Sequence, residues 1–330
     1  MNVDRLAVLL ELSRYGSMRA VADVTMTSTS TVSQQITTLA REVGVPLVER
    51  DGRGIRLTPA GRRLADHAVT ILAAVEAARA DLDLGAEAAG TIRAGGFATA
   101  VRGRLVPIAG ELARTHPRVR VVIHELEPDE AREAVLSDRI DLALVYDYDL
   151  APATVDRVIA VQPLGRTPLG LAVPSDAAPE AELSSPALFA RFGGSAWIGN
   201  SRNPAEEALL RVIASMAGFE PRIDHLADSL DLVEEIILAG LGVGLLPLDR
   251  NSRDGITVIP LKQPAAVNRT YAWTRQGRAT WPPLALLLDK LTRGGRPSGT
   301  RPDGDARLVP LRTPRIGDAA PRPARPASGR

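Results

Sequence analysis

The segment from Gly16 to Ile36 constrains the fold of this chain more than any other, because it predicts two short helices joined by a turn. Gly16-Ser17 ends one helix and caps the next, residues 19–24 carry the small apolar positions of a short helix, and residues 25–28 form a polar turn. Ser28 and Thr29 can cap a second helix, since their hydroxyl oxygens accept from its first unpaired N–H groups. The pattern is that of a helix-turn-helix.

The second of these helices has two distinct faces. Apolar side chains recur at helical spacing and predict a buried stripe, formed by Val32, Ile36, Leu39 and Ala40. The opposite face carries short hydrogen-bonding side chains, namely Thr29, Ser30, Thr31, Ser33, Gln34 and Thr37. Such a face fits the major groove of double-stranded DNA, where Gln can bond adenine and hydroxyl groups can bond base edges. The alternative is the solvated face of an ordinary helix.

A hairpin and a long helix follow. Residues 44–50 and 55–58 flank the turn Asp51-Gly52-Arg53-Gly54, which predicts a wing whose Arg53 reaches DNA. Thr58 and Pro59 then begin a helix. Its apolar residues alternate at spacings of four and three, which is typical of a coiled-coil seam that pairs two copies of the chain: Leu64, Ala68, Ile71, Val75, Ala78 and Leu82. The alternative is a helix packed on its own domain.

These motifs together resemble the LysR-type transcriptional regulators. The match is carried by Gly16-Ser17 and by residues 28–36, 44–50 and 57–61, and the resemblance covers roughly residues 2–292. Thr29-Ser30 stand where the family usually has Gln-Pro, and Gln34 stands where it commonly has Arg, so no operator sequence is carried over.

The resemblance implies a sequence-specific DNA-binding regulator that is not an enzyme and forms homodimers or homotetramers. Its DNA contacts would be modulated by a small-molecule effector bound in a cleft between two lobes. The alternative is a DNA-binding architectural or replication-associated factor without an effector response.

The predicted fold class is α/β, with an N-terminal, mostly α-helical winged helix-turn-helix and a C-terminal two-lobed effector domain like the periplasmic binding proteins. Strands and helices alternate from Gly90 onward, which favours parallel sheets. We predict a DNA-binding domain at 1–58, a linker and dimerisation helix at 59–88, and an effector domain at 89–292. Lobe 1 spans about 91–160 and 266–292, and lobe 2 spans about 165–262. Residues 293–330 form a Pro/Arg-rich basic tail that is predicted to be disordered.

The effector cleft is expected where strands end and helices begin. The candidate residues are Phe97, Ala98, Thr99, Ala100 and Tyr146 in lobe 1, and Ser201, Arg202 and Asn203 in lobe 2. Arg202 is the only charged residue in the loops 96–100 and 200–204, so we expect a small anionic effector such as a carboxylate. The alternative is that these residues only cap helices or form turns.

Composition limits the remaining function classes. The chain has no cysteine, which excludes disulfides and thiol chemistry, and its four histidines lack metal-ligand spacing, so no metal or cofactor is expected. No Ser-His-Asp spacing or paired acid motif indicates an enzyme. There is no apolar run of membrane-spanning length and no basic leader, which favours a bacterial cytoplasmic, nucleoid-associated protein over a transport component. The net charge is only +1, but residues 1–63 hold nine arginines against six acidic residues.

Overall fold

The computed structural model of the chain describes residues 1–52, 54–82 and 87–293, except for the side chains of residues 80 and 81. Arg53 at the wing tip, the end of the predicted linker helix and the Pro/Arg-rich tail from residue 294 lie outside the described residues. The predictions made for them stay predictions.

The N-terminal part is a winged helix-turn-helix, as predicted. Its elements are α1 (Val3–Tyr15), α2 (Met18–Val24), α3 (Thr29–Val43), β1 (Val48–Asp51) and β2 (Gly54–Leu57). The strands β1 and β2 pair antiparallel as a hairpin. The apolar stripe of α3 is fully buried against α1 and α2, and it consists of Val32, Ile36 and Leu39.

Local capping explains where these helices begin and end. Gly16 ends α1 in the left-handed region, with φ of 68°, which glycine adopts without a steric penalty. The Ser17 hydroxyl accepts from the Ala20 N–H at 3.1 Å, and the Ser28 hydroxyl accepts from the Thr31 N–H at 3.1 Å. Each serine satisfies one N–H group that the helix start leaves unpaired.

The linker helix is α4 (Pro59–Leu82), and its first half packs on its own domain. Ala68, predicted for the dimer seam, is fully buried in the N-terminal core, so it has no surface to offer a partner. Leu64 and Ile71 also pack partly against that core. The later seam positions are more accessible: Val75 is half-buried, and Ala78 and Leu82 are exposed. Within the described ranges, no helix is both long and apolar enough to cross a membrane.

Lobe 1 is built on three parallel strands with the order β4-β3-β5. The strands are β3 (Gly90–Gly96), β4 (Val119–Glu125) and β5 (Leu142–Tyr148). The helices are α5 (Ala98–Ala100), α6 (Val106–Thr115), α7 (Pro128–Leu136) and α11 (Pro282–Arg293), and a π-helical turn at Val101–Leu105 joins α5 to α6. All side chains of β5 are buried, as expected for a central parallel strand.

Lobe 2 has its own core around Phe189 and Trp197. Its strands are β7 (Ala196–Gly199), β8 (Arg222–Leu226), β9 (Gly244–Pro247) and β10 (Ile256–Pro260). Its helices are α8 (Ser185–Arg191), α9 (Pro204–Met216) and α10 (Leu230–Leu238). The strands β7 and β8 pair in parallel, as the βαβ pattern predicts.

The lobes are joined by two long strands, β6 (Ile159–Pro174) and β11 (Val267–Arg275). The strand β6 is continuous over 16 residues and serves both lobes. The reason is that the first part of β6 pairs with β11, whereas its last residues pair with β9 and β10. The two-lobed architecture is confirmed, and β6 and β11 form its hinge.

Candidate DNA-binding surface and inter-lobe site

The predicted recognition face lies on the solvent side of α3. Its exposed members are Thr29, Ser30, Ser33, Gln34 and Thr37, whereas Thr31 is half-buried. The hydroxyl of Thr31 lies 2.8 Å from the Ser28 hydroxyl, and that of Thr37 donates to the Ser33 carbonyl at 2.8 Å. The side chains of Ser33 and Gln34 make no hydrogen bond to any described residue, so their polar groups are free for base edges.

The hairpin beside α3 presents further arginines. Arg56 is exposed on β2 and lies 2.8 Å from Glu49 on β1. Exposed pairs of this kind are weak and exchange readily for other partners, including phosphate. Arg56 and the exposed Arg50 on β1 are therefore described wing cations that can approach DNA.

A cavity of about 440 Å³ lies between the two lobes. Lobe 1 contributes the start of its first helix and the end of β5, and the wall includes Phe97, Ala98, Thr99, Ala100, Tyr146 and Tyr148. Lobe 2 contributes Asn200, Glu206 and Asp228, and the hinge strands contribute Thr167, Asn268 and Thr270. All lobe 1 residues that the sequence predicted for the cleft thus lie in its wall.

Two tyrosine–glutamate pairs lie in this wall. The Tyr146 hydroxyl donates to Oε2 of Glu127 at 3.0 Å, and the Tyr148 hydroxyl donates to Oε2 of Glu206 at 3.3 Å. The Phe97 ring meets Tyr146 edge-on, with 4.7 Å between ring centroids. Tyr146 and Tyr148 are themselves edge-on at 5.7 Å. The result is an aromatic corner that carries two carboxyl groups.

Burial sets the protonation of this corner. It raises the pKa of Glu206 to about 7, because a carboxylate loses hydration there and the Tyr148 hydroxyl compensates only in part. Burial also raises the pKa of Glu127, against the opposing effects of the Tyr146 hydroxyl and the Arg202 charge. The pKa values of both tyrosines are raised by burial, so their hydroxyls stay protonated and act as donors.

The predicted lobe 2 residues lie beside the cavity and not in its wall. Arg202 Nε is 2.7 Å from Asp228, and its other nitrogens are 3.3 Å from Glu130 and 3.2 Å from Glu125. Ser201 also donates to Asp228, at 2.7 Å. The structure therefore does not support Arg202 as the anion partner of an effector, because three carboxylates already surround its guanidinium.

The third predicted lobe 2 residue, Asn203, is the cap of α9. Its side-chain oxygen accepts from the Ala205 N–H at 3.0 Å, and the residue is buried. Arg202 meanwhile joins lobe 2 to lobe 1, since Glu125 ends β4 and Glu130 lies on α7. The loop is thus a structural connection between the lobes.

Other arginines in the wall differ in how fully they are paired. Arg250 lies 2.5 Å from Asp231 and 2.8 Å from Glu234, so its charge is balanced. Arg102 is largely exposed, and its guanidinium is 4.0 Å from the Asp231 carboxylate, which makes a weak ion pair. Arg104 donates to the Leu164 carbonyl at 3.5 Å and has no ion pair among the described residues.

Sequence reasoning missed the acidic members of the wall. Glu127 follows β4, so the same rule of strand ends would have found it. Glu206 and Glu207 both lie in the first turn of α9, where acidic residues commonly stabilise the helix through its dipole. Because the two residues are adjacent, the sequence does not indicate which of them faces the cleft. Asp228 follows β8 and was missed in the same way as Glu127.

The architecture defines a DNA-binding regulator with a ligand-binding domain. The family model described as "Bacterial regulatory helix-turn-helix protein, lysR family" matches residues 3–62, and that described as "LysR substrate binding domain" matches residues 85–296. The chain belongs to the LysR family of DNA-binding transcriptional regulators, which confirms the resemblance found in the sequence.

Similar proteins agree with this assignment. An uncharacterized HTH-type transcriptional regulator of Bacillus subtilis, YwqM, is 23% identical over 264 residues, covering 80% of this chain and 87% of that protein. The hydrogen peroxide-inducible genes activator of Pectobacterium carotovorum is 27% identical over 269 residues, covering 80% and 87%. A full-length OxyR variant from Pseudomonas aeruginosa has a TM-score of 0.65 at 20% identity, covering 88% of this chain and 94% of that chain. This last likeness shows the fold alone.

Proposed function

We propose that the chain controls transcription by reading DNA with α3 while a small molecule in the inter-lobe cavity sets how it does so. The observation that carries the proposal is the cavity itself, whose wall comes from both lobes and from the hinge strands β6 and β11. A ligand that contacts both lobes favours one inter-lobe angle over others. That angle fixes where each DNA-binding domain sits in an oligomer, so ligand binding changes DNA contacts.

Self-association completes this mechanism. We place it at the second half of α4, where Val75, Ala78 and Leu82 keep the seam spacing and are more accessible than the first half. A symmetric pair of chains would present two α3 helices to DNA half-sites one helical turn, or a multiple of it, apart. A DNA-binding regulator acts at the bacterial nucleoid, and we therefore place the protein in the cytoplasm.

The trigger in this proposal is binding and not covalent chemistry. Relatives include proteins named hydrogen peroxide-inducible genes activators. This chain contains no cysteine, so a response by thiol oxidation is not available to it. The cavity holds its ligand without transforming it, which mass spectrometry of the ligand before and after incubation would check.

A blocked cavity tests the proposal. Thr99 is exposed in the wall, so Thr99→Trp would place an indole in the cavity without disturbing the core. Ser215→Trp, on the exposed side of α9 and outside the wall, is the matched control. Footprints would be recorded on DNA sites selected from a random pool, with and without the small-molecule fraction of a cell extract.

We expect the extract to change the footprints of the wild type and of Ser215→Trp, and to leave that of Thr99→Trp unchanged. A wild-type footprint that never responds would favour the architectural factor. An equal response by Thr99→Trp would place the effector site elsewhere.

A further inference from the structure

We infer that the effector is an organic cation whose protonated amine lies between Glu127 and Glu206, against the rings of Tyr146 and Tyr148. The inference rests on the proposed function of the cavity and reverses the charge that the loop sequences suggested for its ligand. It is carried by the geometry of the wall, in which Glu127 and Glu206 have no ion pair among the described residues, whereas Arg250 is paired with two carboxylates.

The two glutamates have hydroxyl partners but no ion pair. Glu206 accepts one hydrogen bond, from Tyr148, and Glu127 accepts one from the Tyr146 hydroxyl in addition to its place in the capping box of α7. No Arg, Lys or His nitrogen of the described residues lies within ion-pair distance of either carboxyl group. A protonated amine offers several N–H donors and a positive charge, and so complements two carboxyl oxygens that face one cavity.

The aromatic corner favours the same ligand class. Tyr146 and Tyr148 both line the cavity, and a cation near an aromatic face is attracted by the ring quadrupole. Phe97 adds a third ring at the same corner. A carboxylate placed there would meet the negative faces of the rings and two acidic groups.

Two arginines nearest the lobe 2 side of the cavity are balanced by carboxylates. Arg250 pairs with Asp231 and Glu234, and the nearby Arg202 pairs with carboxylates of both lobes. Arg102 is largely exposed with one 4.0 Å contact to Asp231, and Arg104 has no ion pair among the described residues. The contact of Arg104 with Leu164 lies beside Gly165, which is opposite Thr270 on β11, and Thr270 is opposite Tyr146 on β5.

In this register Leu164, which Arg104 contacts, is on β6 and Tyr146 is on β5. The backbones of these strands are two strand spacings apart, roughly 9–10 Å. A ligand that carries a carboxylate in addition to its amine can therefore reach both Arg104 and the acidic corner. The amine is the required element, and an acid group at the far end of the ligand adds to binding.

A metal ion is the other cation to weigh. Among the described residues, no group of three or more His, Cys, Asp or Glu side chains is placed to hold a metal ion. The cavity is also far larger than a metal ion requires, at about 440 Å³. Both observations favour an organic cation.

Proton exchange gives the binding reaction a signature. Glu206 has a pKa of about 7, set mainly by burial, with Tyr148 opposing and Glu127 and Asp228 adding like charge. An ammonium group at Glu206 lowers this pKa, so the half-protonated carboxyl ionises and a proton is released at neutral pH. A bound anion has the opposite effect and causes proton uptake.

The experiment uses three probes of equal chain length, namely 1,5-diaminopentane, 5-aminopentanoate and glutarate, with the full-length protein. Titration calorimetry at neutral pH in buffers of different ionisation enthalpy measures affinity and proton exchange together. We expect both amines to bind at millimolar concentration or below with proton release, and glutarate not to bind. MgCl₂ alone is a fourth titrant, for which no binding is expected.

Two variants test whether the amine binds at Glu206. Glu206→Gln keeps the shape and an acceptor for Tyr148, and we expect it to weaken amine binding by about tenfold to a hundredfold and to abolish proton release. Glu207→Gln is the control, because Glu207 is the neighbouring residue on α9 and pairs with Arg211. Urea unfolding of each variant checks that it folds.

The outcomes separate the inference from the proposed function. Failure of both amines to bind the wild type, or binding of MgCl₂ at Glu206, overturns the inference. Glutarate binding that Thr99→Trp abolishes also overturns it while supporting the cavity as the effector site. Amine binding that neither Thr99→Trp nor Glu206→Gln weakens would contradict the assigned site as well.

Discussion

Replacing Asp138 by Asn should weaken the junction between the DNA-binding part of the chain and lobe 1. Arg14 lies on α1, and its Nε is 2.6 Å from Oδ2 of Asp138, which follows α7. The two side chains are only 9% and 2% exposed, so the pair is buried at the junction. Asp138 has φ of 56°, and Asn tolerates this left-handed conformation as well as Asp does, so the substitution isolates the charge.

The structure sets the size of the effect. Removing one partner of a buried ion pair costs about 3–5 kcal/mol, because the remaining charge stays buried and uncompensated. Glu11 also contacts Arg14 and supplies part of the compensation, so we expect a loss of about 2–3 kcal/mol in the free energy of unfolding.

A second contact at the same junction provides the control. Arg275 lies 2.7 Å from Asp66 on α4, and the Asp66 side chain is 53% exposed. Arg275 is buried, but the Asp66 carboxylate is half exposed and the Leu136 carbonyl also accepts from Arg275 at 2.6 Å, so Asp66→Asn should cost less than Asp138→Asn. Urea unfolding would compare the two variants, and a double-mutant cycle of Asp138→Asn with Arg14→Met would measure the coupling. Equal losses for both Asp variants, or a strictly additive cycle, would refute the argument.

The remaining predictions concern DNA reading, assembly and acid stability. Gln34→Ala should weaken binding to a selected operator by about 1–3 kcal/mol and leave nonspecific binding unchanged, as measured by filter binding at fixed salt. An equal loss of affinity for all sequences would mean that Gln34 contacts only phosphate. Leu82→Asp should yield monomers by light scattering without loss of thermal stability, since this side chain is 87% exposed, and an unchanged mass would place the interface elsewhere. Burial acts to raise the pKa of Asp141, but Arg93 and Arg278 hold it below its usual range, so its stabilisation is complete above about pH 4 and is lost as the pH falls through the lower folded value. Asp141→Asn should flatten that part of the stability curve, measured by urea unfolding across acidic pH, and an unchanged curve would exclude Asp141 as its source.

Much of the fold follows from local signals in the sequence. The caps at Ser17 and Ser28 and the apolar stripe of α3 act within a few residues, so spacing alone places them. The seam on α4 could not be resolved in the same way. Ala68 is buried because α1 packs beside α4, and a heptad pattern does not say whether its partner is another chain or its own domain.

The same distinction between local and long-range signals applies to the candidate site. Strand ends placed Thr99 and Tyr146 at the cavity, because that rule depends only on topology. The charge of the ligand that the cavity favours could not be predicted from strand ends. Arg202 is the one cation among the loops considered, but its carboxylate partners Glu130 and Glu125 lie 72 and 77 residues away in the other lobe. The sequence of a loop shows which charged residues it contains but not which of them form ion pairs in the folded protein. A ligand interacts most strongly with the charges that have no such partner. Here the fold leaves Glu127 and Glu206 together at one corner without an ion pair, which is why we infer an ammonium group as the ligand.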